Sequence, residues 1–526
     1  MKPRMPQFST DRHSLFRIAE PERKNIEKLV FRRHPRREWG TFFRFGFRRT
    51  RWGLAISYVD ALPPEPGDLN RSSPVVEFRP GYVNRALREL ESGLFGMGVI
   101  HSHPQTSFTF GTSPSPADDD MDLYFSELFQ TFSGGCPYCS LIVNRDNTGA
   151  STFTGRVFDD GKWMPVRTIL CPGFPLVRTS SAFFDSERHA ATGENSSSES
   201  ITDRLDQLVT TEGRRRLSSA CIGVIGCSGT GSPAIEALAR AQIGEFVVVD
   251  YQPFAPSNLE RMHGSRYADV LTIPKPSKVE LMARLIWEVN PTAVITAITG
   301  NVLDPEVKDE LLRCDVLMGC TDTHHGRAAL GDLAIHYLVP SIDVGVLMKG
   351  ENQEVTMQMV ELTRYTPHEP CPFCSGCIDN WWLAWELMDT DEREPRRAAA
   401  QEAGRRGDNP DLYWGGDAPQ LPTVGYLTTH AGSLAAGYVI NWLVGTADMP
   451  HSHFQYDIGA SQFGFVDVPR TQKAECACGR TVGQADQAEM SVTRPLHWSK
   501  PTTLDLAHVC PRSHSLEYQE SPADPQ

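Results

Sequence analysis

The chain has 526 residues, enough for at least two hydrophobic cores, and its 40% hydrophobic content is that of an ordinary globular protein. A net charge of −14 argues against a general nucleic-acid binder, which needs clustered cations to neutralise phosphates. No run approaches the ~18 apolar residues of a membrane span, and residues 1–10 carry no signal-peptide core. The 13 cysteines, odd in number and several inside apolar runs, suit a reduced cytoplasm better than a disulfide framework.

Taken in order, residues 20–30 read as a helix ending near His34-Pro35. Arg32, Arg33, Arg36 and Arg37 form a basic patch, read as a solvated helix end and loop. Glu38-Trp39-Gly40 leads into a bulky β-prone run, 41–47, and 52–59 reads as a second strand. A Pro/Gly/Ser-rich loop, 62–74, precedes an amphipathic helix over 80–92. A further apolar strand ends in His101-Ser102-His103-Pro104, whose spacing lets both imidazoles point to one side. Ser115 and Asp118 follow near a helix start. Two imidazoles, a carboxylate and a free fourth position make an open zinc site suited to hydrolysis.

An upstream Glu, His-x-His-Pro and Ser-x-x-Asp together resemble the JAB/JAMM (MPN) metalloprotease family, over about residues 15–180. The resemblance implies an α+β domain with His101, His103 and Asp118 as zinc ligands, Ser115 supporting the oxyanion and Glu38 as the base. It implies isopeptide or peptide bonds at the C-terminus of ubiquitin-like proteins as substrates. The span from His103 to Ser115 is longer than usual for the family, and an inserted loop over 105–112 would absorb it. Cys136 and Cys139 read as buried thiols at a turn rather than as a zinc pair. The domain is expected to occupy 1–180, and the Ser/Glu-rich stretch 181–200 reads as a flexible linker.

The next stretch organises the second half. An apolar strand from Cys221 to Ile225 meets a glycine turn (Gly226, Gly229, Gly231), a helix start with Ser232 and Pro233, and a second strand ending in Asp250. Such a βαβ unit binds a nucleotide, with phosphates at the helix N-terminus and the acid on a ribose. Asn258, Arg261, Lys278 and a further strand-end acid, Asp322, gather behind the same turn. A dehydrogenase has no need of them; an enzyme that presents ATP for attack at its α-phosphate does. Later come Cys371 and Cys374, then Cys476 and Cys478, two separated pairs that read as a closed structural zinc site.

GCSGTGS, the strand-end Asp250, SNLER, Lys278, CTDTHHGR and the split cysteine pairs together resemble the ThiF/MoeB and ubiquitin-activating superfamily of adenylyltransferases. The resemblance implies a Rossmann-like domain with a mainly parallel sheet over 201–485, giving an α/β protein with an α+β N-terminal domain. It implies that Asp250 holds ribose, that Asn258, Arg261 and Lys278 touch phosphates, and that Asp322 supports Mg2+ and the nucleotide. Cofactors would be ATP, Mg2+ and two Zn2+, one catalytic and one structural. Partners would be a ubiquitin-like or sulfur-carrier protein ending in glycine, a conjugating enzyme and a second copy of the chain; no nucleic acid or membrane is expected.

No cysteine lies between 379 and 474, so Cys377 is either a zinc ligand, a buried spare or a nucleophilic thiol. The charged stretch 390–422 is expected to be a crossover loop, and 423–444 a closing helix. Trp381, Trp382 and Trp385 are expected to pack a helix on the core, and 486–526 to be a loosely ordered tail. The functional expectation is a bifunctional cytoplasmic enzyme of a bacterial ubiquitin-like pathway: a zinc (iso)peptidase that trims or deconjugates a modifier, fused to an enzyme that adenylates its C-terminal glycine. The alternatives are sulfur-carrier activation for cysteine, thiamin or molybdopterin synthesis, and a non-catalytic scaffold that binds such a tail.

Overall fold

The computed structural model describes residues 12–70, 75–90, 93–104, 111–145, 149–182, 202–351, 354–408, 423–459 and 464–510. The expected linker lies almost wholly outside them.

The N-terminal half is one sheet of eight strands: β1 (His13–Arg17), β2 (Gly40–Thr50), β3 (Gly53–Leu62), β4 (Gly96–Ser102), β5 (Tyr138–Arg145), β6 (Ser151–Asp159), β7 (Lys162–Cys171) and β8 (Val177–Ser180). The order is β1-β3-β2-β4-β5-β6-β7-β8, and β1 also pairs with β7, which closes the sheet into a barrel. The closure depends on Gly53: a Cβ there would sit 1.7 Å from the His13 carbonyl oxygen, so β1 approaches β3 only past a glycine. β4 and β5 run parallel and therefore need a crossover, supplied by the helix Pro116–Ser133. That helix and Pro80–Leu90 cover one face through Phe125, Phe129, Tyr82 and Leu90.

The C-terminal half is a nine-stranded sheet: β9 (Cys221–Ile225), β10 (Glu245–Val249), β11 (Val294–Thr299), β12 (Val316–Gly319), β13 (Ser341–Glu351), β14 (Glu354–Tyr365), β15 (His453–Asp457), β16 (Gly464–Asp467) and β17 (Thr502–Thr503). The order is β16-β15-β14-β13-β12-β9-β10-β11-β17. Strands β11, β10, β9, β12 and β13 are parallel, whereas β14, β15, β16 and β17 join antiparallel. The sheet is thus mixed rather than mainly parallel, because β13 returns directly into β14 as a hairpin and leaves no room for a crossover helix. The helices Gly231–Arg240, Lys278–Val289 and Gly425–Val444 bury one face through Ile235, Leu238, Met282, Ile286, Val439 and Trp442.

Three further expectations are corrected. Residues 390–406 of the expected loop are a helix, Thr390–Arg406, capped by Asp389, with acids in its first turn, arginines in its last and Gly407 left-handed at φ 82°. The tryptophans share the packing of Asn380–Leu387 unequally: Trp381 is 41% exposed, Trp382 and Trp385 are half-buried, and Leu383 is the fully buried residue of that helix. Residues 486–510 of the expected tail pack onto the sheet's surroundings: Arg494 bonds Asp304, Ser491 bonds Asp332, and β17 pairs with β11.

The halves meet in a polar interface with buried members. Arg17, on β1, is 0% exposed and donates to the carbonyls of Leu312 and Cys314 at 2.7 and 2.9 Å. Asp315, at the foot of β12, accepts from Arg178 at 2.5 and 2.6 Å and from the Cys221 N–H at 2.8 Å. Trp52 and Trp442 donate across the boundary to the Asp309 and Gly173 carbonyls. Among the described residues, no helix is long and apolar enough to cross a membrane.

Candidate functional sites

In the barrel, β4 ends at Ser102, with His101 fully buried. Across from it Ser115 caps the helix Pro116–Ser133: its hydroxyl accepts from the Asp118 N–H, while its own N–H donates to Asp118 Oδ2 at 2.6 Å. This reciprocal cap aims the Asp118 carboxylate at the histidines. His101 Nε2 stands 3.0 Å from Asp118 Oδ1, and His103 Nε2 3.2 Å from Oδ2. One ligand atom from each of the three residues falls within 4.8 Å of the others. Neither ring nitrogen of His101 has an aligned hydrogen-bond partner among the described residues, which is costly for a buried imidazole and fits a metal ligand. Burial pushes the Asp118 carboxyl up, but the close approach of the His101 and His103 imidazoles outweighs that and holds it well below the carboxylate range.

Glu38 reaches the same place from the segment before β2, accepting from the Val76 N–H at 2.8 Å. Glu38 and Asp118 line one end of a groove of about 470 Å³, whose walls include Phe78, Val83, Leu87 and Met121. The structure therefore brings together all five residues predicted for this site. Residues 105–110 of the expected inserted loop lie outside the described residues.

The second constellation lies at the C-terminal ends of β9, β10 and β12, where parallel strands present ligands. Gly226 has φ 94°, and a Cβ on it would meet the Cys320 carbonyl at 2.5 Å; one on Gly231 would meet the Gly226 oxygen at 1.9 Å. Only glycines allow this turn to fold against β12 and open into the helix. Thr230 makes no side-chain cap; the Ser232 N–H is taken by the Ser228 carbonyl at 2.9 Å, and Pro233 has no N–H to satisfy. Asp250 closes β10, its carboxylate fixed by the N–H groups of Cys227 (2.9 Å) and Gln252 (2.8 Å). Lys278 is 5% exposed and places its ammonium on Gln252 Oε1 at 2.6 Å. Asn258 is buried and accepts from the Ala255 N–H, and Arg261 passes alongside Gly229. Asp322 projects beyond β12, exposed, with no hydrogen bond or ion pair among the described residues. Burial and then the charges of Asp322, Asp250 and Glu386 push the Tyr251 hydroxyl up.

Glu386 is the residue that sequence reasoning missed. Its carboxylate accepts from the His324 and His325 N–H groups, both at 2.9 Å, directly after Asp322. The available signal was its place as the single charged residue of the helix Asn380–Leu387.

The four predicted cysteines converge, Cys371 on Cys476 and Cys374 on Cys478, each with Sγ atoms 3.7 Å apart. Zn–S bonds of ~2.3 Å at tetrahedral angles require an S···S separation of ~3.8 Å, so the quartet has the dimensions of a closed zinc site. Cys377 is not part of it. Its thiol points to the Ser375 carbonyl and lies against Tyr365, and burial first of all pushes it up from its ordinary value.

Residues 202–478 match the ThiF family. The SAMP-activating enzyme E1 of Haloferax volcanii is 31% identical over 163 residues, 31% of this chain and 56% of that protein. The molybdopterin-synthase adenylyltransferase of Salmonella typhimurium is 28% identical over 163 residues, 31% of this chain and 61% of that protein. The sulfur carrier protein ThiS adenylyltransferase of Escherichia coli is 26% identical over 186 residues, 35% of this chain and 64% of that protein. The matched segments thus leave more than a third of each relative outside the similarity.

Proposed function

The chain belongs to the ThiF family, and we propose that it activates the C-terminal glycine carboxylate of a ubiquitin-like or sulfur-carrier protein by ATP-dependent adenylation. The observation that carries this reading is the convergence, at the ends of β9, β10 and β12, of a glycine turn, a helix start without a side-chain cap, a pinned Asp250 and a buried Lys278. The relatives' names, which speak of SAMP, molybdopterin synthase and ThiS, point to the same class of substrate.

In this reading Asp250 holds the ribose, and the Gly226–Gly231 turn cradles the phosphates. Asn258, Arg261 and Lys278 offset phosphate charge. A carboxylate oxygen of the carrier attacks the α-phosphorus; the bond from that phosphorus to the bridging oxygen breaks, and pyrophosphate leaves with the electron pair. Asp322 would hold Mg2+, which would supply charge neutralisation at the phosphates. The quartet Cys371, Cys374, Cys476 and Cys478 would hold a structural zinc ion.

A second activity is favoured by the His101, His103 and Asp118 cluster beside Glu38: zinc-dependent cleavage of a peptide or isopeptide bond at the tail of the same carrier. Zinc there supplies Lewis acidity toward water and a carbonyl when bound. Glu38 takes the proton of the attacking water and passes it to the leaving amine, and the Ser115 hydroxyl donates to the carbonyl oxygen.

ATP–pyrophosphate exchange tests the first activity, using glycine-ended ubiquitin-like carriers in mature and C-terminally extended forms. Exchange with the mature form at once, and with the extended form only after cleavage that His103→Ala abolishes, is the expected result. Exchange with neither, while ATP still binds, would leave a scaffold that holds the tail. Sulfur-carrier activation, rather than conjugation, is favoured by the lack of any cysteine between Cys377 and Cys476.

A further inference from the structure

Asp322 has a proposed task in the nucleotide site but no side-chain hydrogen bond or ion pair among the described residues to hold it there. Its placement is set by its backbone alone, and several bonds fix that backbone. The Cys320 N–H donates to the Ile225 carbonyl at 2.8 Å, anchoring the turn to β9. The hydroxyls of Thr321 and Thr323 meet at 2.9 Å, and Thr323 caps the helix His324–His336 through the Gly326 N–H. The first two helix donors, His324 and His325 N–H, have no acceptor within their own turn of helix and are taken by Glu386. Glu386 also meets His325 Nδ1 at 2.8 Å, and His325 Nε2 lies 3.1 Å from the Asn301 amide. This carboxylate comes from a separate element. Arg393 secures the end of that helix by lying over the Trp385 ring at 4.3 Å and donating to the Trp385 and Glu386 carbonyls.

We propose that Glu386 is a positioning residue for Asp322: by engaging the N–H groups of His324 and His325 it fixes the turn that carries the nucleotide-site carboxylate. The proposal rests on the reading of Asp322 as the residue through which Mg2+ joins the nucleotide. A negative charge at a helix N-terminus is favourable in itself, so Glu386 would add stability whatever its role in the pocket. What separates positioning from mere stability is the effect of Mg2+ on ATP affinity.

Calorimetric titration of the full chain with ATP, in Mg2+ and in EDTA, gives that effect directly. With intact Glu386, Mg2+ strengthens ATP binding. Glu386→Ala loses about tenfold of that strengthening, the scale of a lost charged hydrogen bond, and keeps the EDTA affinity within about twofold. Glu386→Gln, with one acceptor left, falls between and serves if the alanine variant does not fold. The double variant Glu386→Ala/Asp322→Ala matches Asp322→Ala alone, since the two act on one contact. The proposal is overturned if Glu386→Ala keeps the full Mg2+ effect that Asp322→Ala loses, or if the two losses add. If Asp322→Ala itself keeps the effect, the underlying reading of Asp322 fails, and the proposal falls with it.

Discussion

Replacing Asp315 by alanine removes a buried acceptor at the boundary between the barrel and the nine-stranded half. Its carboxylate is 0% exposed and accepts two contacts from Arg178 and the Cys221 N–H. It also offsets the charge of the buried Arg17, whose guanidinium burial pulls down to about 10. Taking away one member of a buried ion pair costs about 3–5 kcal/mol, chiefly because the remaining charge is left without compensation. Here two guanidiniums are left, and an N–H at the start of β9 loses its acceptor, so the upper part of that range applies. Asp315→Asn keeps an acceptor for the Cys221 N–H and loses only the charge, giving a smaller loss of about 2–3 kcal/mol. The exposed pair Arg240–Glu236 is the control, and Arg240→Ala should cost about 0.3–0.5 kcal/mol. Urea unfolding followed by tryptophan fluorescence and by circular dichroism measures all three. The probes should shift together, because the residues concerned belong to both halves. A loss below about 1 kcal/mol for Asp315→Ala would refute the reasoning.

Burial pushes the Asp332 carboxyl up to about 6 from an ordinary 3.8, against the opposing bonds from Ser491. The folded state therefore holds a proton that the unfolded state has released between those values. Stability from this group is present below pH ~4 and falls as pH rises through ~6, by about 3 kcal/mol, and Asp332→Asn should flatten that slope in denaturant titrations at each pH. Metal analysis of the purified chain should find two zinc ions. Cys374→Ser should lose one together with thermal stability, and His103→Ala the other with little change in melting temperature. Glu38→Gln should retain both ions and lose cleavage of an extended carrier by at least about 100-fold, the scale of general base catalysis; retained cleavage would remove Glu38 from that role.

The elements around the nucleotide pocket were legible because each apolar run is closed by strong punctuation. Cys221–Ile225 stops at a glycine turn and Glu245–Val249 at an acid, and both strands take those bounds in the structure. His101, His103 and Asp118 were legible as spaced polar groups at element ends, which no packing requirement explains. What escaped the sequence depends on distant partners. β1 is five residues long, and nothing within it signals parallel pairing with both β3 and β7, so the barrel closure was not foreseen. Arg17 sits in an apolar run, and its acceptors lie some 295 residues away. The helix Thr390–Arg406 had readable caps, but its charged composition obscured them. Glu386 carried only the oddity of one acid among tryptophans, and its use became visible once the His324 helix was seen to start against it.

Label transfer from ATP tests the central claim most directly. A glycine-ended carrier is incubated with the full chain, Mg2+ and ATP labelled at either the α- or the γ-phosphate. The account expects label on the carrier's C-terminus from α-labelled ATP alone, abolished by Asp250→Ala and by removal of the terminal glycine. Label from the γ-phosphate, or α-label that survives loss of that glycine, would contradict it.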